Sequence, residues 1–131
     1  MINHKELAST LYARLKTVSG SIPVAVQGSA FTPTTGTLYL REFFLPGQTF
    51  ANSIASGPQR MDGIYQIDVC SPVNAANGRN STLAIVEQIK AGFTDKTKLT
   101  GLMIRATSVN SGIVDNGWFI VSISVNFTAI G

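Results

Sequence analysis

The last quarter of the chain restricts the fold more than any other part. Residues 118–127 read WFIVSISVNF, with Phe119, Val121, Ile123, Val125 and Phe127 at alternate positions and Ser122, Ser124 and Asn126 between them. Successive side chains of a strand point to opposite faces, so this alternation belongs to a strand with one face in a core and the other outside it. The segment just before it is Asp115-Asn116-Gly117. Asn and Gly tolerate the positive φ angles of tight hairpin turns, so a strand over about 117–128 is expected to pair with one over about 99–109.

A second alternating run, RMDGIYQIDVCSP at 60–72, sets Tyr65, Ile67 and Val69 against Gln66 and Asp68. GTLYLREFFLP predicts a strand over 37–45 buried on both faces, since Leu38, Leu40 and Phe44 oppose Tyr39 and Phe43. PVAVQG reads as a short strand before it. Helical spacing occurs twice. Leu7, Leu11, Leu15 and Val18 form one stripe over 3–18, where Asn3 and Glu6 resemble a capping box. Ile85, Val86, Ile89 and Phe93 form another over 79–93, with Asn80 or Ser81 as cap. The expected fold is α+β: two helices packed on a mainly antiparallel sheet of about five strands, with 1–131 as a single domain. Between the second and third strands, residues 46–59 (PGQTFANSIASGPQ) show neither period, and a structureless connection of that length in a compact domain is expected to be functional.

Composition narrows the function. With 131 residues the chain can bury roughly two thirds of its unfolded surface. Only 13% of residues are charged, about half the usual share, so the surface is weakly defended against association. The net charge of +3 comes from scattered residues rather than a basic run, which argues against a dedicated nucleic-acid surface. Cys70 is the only cysteine, so no intrachain disulfide and no cysteine-rich metal site can form. At the end of a strand it is expected to act as a small apolar residue.

Chemistry is scarce. His4 is the only histidine and lies at the N-terminus, which leaves nothing for a catalytic triad or a multi-histidine metal site. Asp62 and Asp68 are six residues apart on one strand, about 20 Å when extended, and are expected to be solvent-facing charges. NAANGRNST lacks the lysine of a phosphate loop. No catalytic, cofactor or metal residue is assigned, and the expected protein is not an enzyme. Lys5, Glu6 and Arg14 within the first helical pattern argue against a secretory signal, and apolar runs such as GLMI and WFIV are too short to span a bilayer. Assembly in a reducing cytoplasm, without a membrane partner, is expected.

The succession LYLREFFLPG, a long loop, RMDGIYQIDVCSP, NGRNSTLAIVEQIKAGF and GWFIVSISVNF resembles the tail terminator proteins of long-tailed bacteriophages, including the minor tail protein U group of lambda-like phages. The resemblance covers 37–127, with a matching first helix. It implies a structural virion protein that forms a six-membered ring on the tail tube, ends tail elongation and offers its other face to the head. Implied partners are further copies of the chain in a homohexamer, the tail tube protein and a head completion or connector protein, with genomic DNA only as cargo passing through the lumen. The resemblance also implies that the loop is an assembly surface. The expected subunit or tail-tube contacts are Leu45, Gln48, Thr49, Phe50, Asn52, Ser53, Ile54 and Ser56, with the apolar Phe50 and Ile54 as anchors; the alternative is that those two fold back over their own domain. Two rival functions are another phage neck or tail completion protein, and a small domain binding single-stranded nucleic acid. The latter would stack bases on Tyr39, Phe43, Phe44 or Tyr65 and needs these aromatics to share an exposed face with basic residues such as Arg41.

Overall fold

Helix α1, His4–Ser19, begins where the Asn3 side chain accepts the Glu6 N–H at 3.1 Å, satisfying one of the orphan donors of the first turn. The computed structural model of the chain describes residues 2–34, 36–51, 59–73 and 78–130. The buried stripe of α1 is Leu7, Leu11, Leu15 and Ser19. Val18, expected on that stripe, is half-buried and instead faces Gly92 of helix α2, Gly78–Gly92. A Cβ at Gly92 would collide with the Val18 side chain, so glycine permits this close approach. The C-terminal end of each helix is capped by the other helix. Arg14 donates from Nε to the Gly92 carbonyl at 2.7 Å, and Gln88 donates from Nε2 to the Val18 carbonyl at 2.7 Å. Because α2 already runs at Gly78, Asn80 and Ser81 lie inside its first turn rather than at its cap.

Seven strands are described: β1 (Val24–Val26), β2 (Tyr39–Ala51), β3 (Gln59–Pro72), β4 (Lys98–Leu99), β5 (Leu102–Val109), β6 (Ile113–Asp115) and β7 (Trp118–Ile130). They form one mixed sheet in the order β1-β2-β3-β7-β5-β4, with β6 also on β7. The α+β class holds, but the sheet has seven strands rather than about five, and β1 runs parallel to β2. Strands β3 and β7 are the centre, paired without interruption from Arg60↔Ile130 to Pro72↔Trp118. The Asn-Gly turn forms as expected, with Asn116 and Gly117 at φ 49° and 81° between Asp115 and Trp118. Ile113–Asp115 forms a short strand of its own because the chain leaves the β7 ladder after Val109 and rejoins it at Ile113.

Both helices cover one side of the sheet. Leu11, Leu15, Val86, Ile89 and Phe93 pack there on Leu40, Ile67, Val69, Ile123 and Phe127, all almost or fully excluded from solvent. Burying a side chain of this size is worth about 1.5–3 kcal/mol, so this layer dominates the stability. One acid lies within it. Glu42 on β2 is buried, accepting the Tyr65 hydroxyl at 3.2 Å and the Gln27 N–H at 3.3 Å. Burial, and then the neighbouring carboxylate, push the Tyr65 phenol well above its usual range.

The described residues of the expected loop over 46–59, which are 46–51 and 59, are strand. β2 continues through Pro46 to Ala51 and pairs with β3 up to Ala51↔Gln59, forming a long hairpin arm. Between Pro46↔Gly63 and Thr49↔Met61 the register shifts by one residue, a β-bulge. Proline has no N–H for a ladder and is tolerated at such a point. At Gly47 a Cβ would collide with the Asp62 carbonyl, so the arm needs glycine there.

Candidate functional site: the uncovered sheet face

The side of the sheet away from the helices carries the other half of each alternation. From β2 it takes Tyr39, Arg41, Phe43 and Leu45; from β3, Asp62, Ile64, Gln66, Asp68 and Cys70; from β7, Ile120, Ser122, Ser124, Asn126 and Thr128. Three kinds of chemistry follow one another along the strands. Near the Trp118 end, Tyr39, Cys70 and Ile120 form a small second core, with Trp118 set edge-on to Tyr39 at 5.0 Å and the Phe31 ring tilted against Tyr39 at 5.1 Å. Cys70 packs as an apolar residue, and burial raises its thiol pKa.

Next comes a polar row, Arg41↔Asp68↔Ser122. Asp68 is only 3% exposed, contrary to the expectation of a solvent-facing charge. Its carboxylate accepts from Arg41 Nη2 at 2.8 Å, Ser122 Oγ at 2.8 Å and Gln66 Nε2 at 3.0 Å. Three donors from three strands make up for the lost hydration of a buried charge. Asp62 does match its expectation: half-exposed, it accepts from Thr128 Oγ1 at 2.7 Å and pairs with Arg60 at 3.0 Å. The Thr128 hydroxyl, and then Arg60, hold its pKa below the usual carboxylate range.

The third region is apolar and exposed. Leu45↔Ile64 and Phe50↔Arg60↔Ile130 place Leu45, Ile64, Phe50 and Ile130 on one face of the arm end. Phe50 is 51% and Ile130 60% exposed. Beside them Arg60, Asp62, Ile64, Arg105, Asn126 and Thr128 line a shallow, open concavity of about 420 Å³.

Of the expected contact residues, Leu45, Gln48, Thr49 and Phe50 therefore lie on β2, exposed, and not on a loop. Thr49 pairs with Met61 and so points to the opposite side of the sheet from Phe50. Asn52, Ser53, Ile54 and Ser56 lie outside the described residues. Sequence reasoning missed Ile64, Ile130 and Arg105 because their proximity to Phe50 arises from pairing between strands. The aromatics proposed for base stacking do not share one exposed face. Tyr65 and Phe44 point to the helix side, Tyr39 is buried under Phe31, and only the half-buried Phe43 sits beside Arg41. No group of three or more His, Cys, Asp or Glu side chains suited to a metal occurs among the described residues, and no described helix is long and apolar enough to cross a membrane.

The fold defines a small α+β protein with one side of its sheet covered by helices and the other open. A family model described as phage tail terminator protein matches residues 6–127, and the chain belongs to that family. It is thus a phage tail protein from a structural, non-enzymatic family. A search of curated proteins gives no match. One solved structure superposes with a TM-score of 0.76 over 98% of this chain and 96% of its own, at 22% sequence identity, a likeness that shows the fold.

Proposed function

We propose that the protein caps the tail tube as a ring of six copies, stops tube elongation and provides the surface that joins tail to head. The membership of residues 6–127 in the tail terminator family carries this reading. The exposed apolar residues at the arm end support it, because an uncovered cluster of that kind on a chain with few charges favours association. Its partners are other copies of the chain, the tail tube protein and a head completion or connector protein, assembled in the host cytoplasm and retained in the virion tail. The protein acts by binding and not by catalysis. Six copies of a +3 chain give a ring of about +18, so DNA in the lumen would meet weak, sequence-independent attraction that fades with salt.

Negative-stain microscopy and analytical ultracentrifugation over a range of concentrations test this. Hollow rings are expected at high concentration or on the ends of purified tail tubes, since association entropy disfavours closure when dilute. A protein that is monomeric at every concentration and does not bind tube ends would refute it.

A further inference from the structure

A closed ring of identical subunits needs two different patches per copy, each complementary to the other. The described surface has two such patches at opposite ends of β7, about 40 Å apart by the rise of a strand. One is the arm end, with Leu45, Phe50, Ile64 and Ile130. The other is the β6 hairpin, where Ile113 is 60% exposed on the face it shares with Asp115, while Val114 points to the opposite face. The two also differ in charge. Arg60 and Arg105 outnumber Asp62 at the arm end, whereas the β6 hairpin carries Asp115, which has no ion pair among the described residues. Each patch further offers an unpaired strand edge. Among the described residues, β1 covers β2 only at Leu40–Glu42 and leaves the arm's outer edge without a strand, and β6 pairs with β7 alone. Unpaired edges are templates for strand addition.

We infer that the β6 hairpin of one copy docks on the arm end of the next, placing Ile113 against Phe50 and Ile130, and Asp115, on the same face of β6, near Arg60 and Arg105. The occupant of the arm end is thus a second copy of this chain. This inference rests on the ring reading, and the two can fail separately.

The test uses two full-length variants. Ile113→Asp spoils the donor patch, and the double variant Phe50→Asp/Ile130→Asp spoils the acceptor. Because these side chains are exposed, thermal unfolding should stay close to that of the wild type, which confirms folding. Each variant alone should associate at least about thirtyfold more weakly than the wild type, as expected for the loss of an interface anchor. Mixed at equal concentration, the two retain one intact contact per pair, so sedimentation should show dimers and no larger species. Folded variants that still form rings would overturn the docking while leaving the ring reading intact. Closed two-fold dimers of the wild type in place of rings would overturn the head-to-tail arrangement. A wild type that never associates, even on tube ends, would overturn both.

Discussion

Replacing Asp68 by alanine removes the acceptor that ties three strands together on the uncovered face. Arg41, Gln66 and Ser122 all lose their partner at once. Removing one member of a buried ion pair costs about 3–5 kcal/mol, because the other charge is stranded. Here the lower end applies, since the Arg41 side chain is 36% exposed and can recover water. Gln66 and Ser122 are half-buried and can do the same in part. The expected loss is therefore about 3 kcal/mol. At about 2.1 cal/mol/K per residue, a chain of this length loses roughly 3–4 °C of Tm per kcal/mol, which predicts a fall of about 10 °C. Asp68→Asn keeps the shape and one oxygen acceptor but not the charge, and should fall about halfway. Circular dichroism melts at neutral pH, with urea midpoints as a second measure, decide the matter. In a double-mutant cycle with Arg41→Met, the coupling should be about 1 kcal/mol or more. Melting of Asp68→Ala within about 2 °C of the wild type, together with zero coupling, would show that the network fills space without holding the sheet.

Three further outcomes are expected. Tyr65→Phe leaves the buried Glu42, among the described residues, with the Gln27 N–H alone and should cost about 1–3 kcal/mol in chemical denaturation, whereas Tyr12→Phe, on a half-buried residue, serves as a near-neutral control. Gly47→Ala forces the bulge away from the Asp62 carbonyl and should cost about 1–3 kcal/mol by the same measurement, while Gly78→Ala, with open space around it, should change little. Because the pKa of Asp62 is depressed in the folded protein, its contribution is present above the unfolded value of about 3.9 and is lost as pH falls through the folded value. Melts of Asp62→Asn should accordingly show a shallower loss of stability below about pH 4 than the wild type, and parallel curves would contradict the assignment.

Periodicity reveals which side of a strand is apolar but not which strands are neighbours, and that division decides what was legible in the sequence. The alternation of β7 and the stripes of both helices were readable because each element buries one face against the same core. The burial of Asp68 was not, because the residues that bury it, Arg41 and Ser122, lie 27 and 54 positions away and meet it only through the register. The same limit hid the arm. Up to Leu45, odd-numbered residues of β2 face away from the helices, so an unbroken strand would have pointed Phe50 toward the helix side. The extra residue between Pro46 and Thr49 reverses the alternation and returns Phe50 to the face of Leu45. The lapse of period at Pro46-Gly47, which reads in sequence as the start of a loop, is therefore the feature that gathers the exposed apolar side chains on one surface. A second bulge, at Arg105 between Ile104 and Ala106, turns Thr107 toward the helices, where its hydroxyl donates to the Phe93 carbonyl at 2.6 Å, and sets the arginine beside the arm end. Both irregularities flank the proposed contact surface, so restoring regular register by deleting either extra residue would move its side chains to the wrong face even if the sheet still folded.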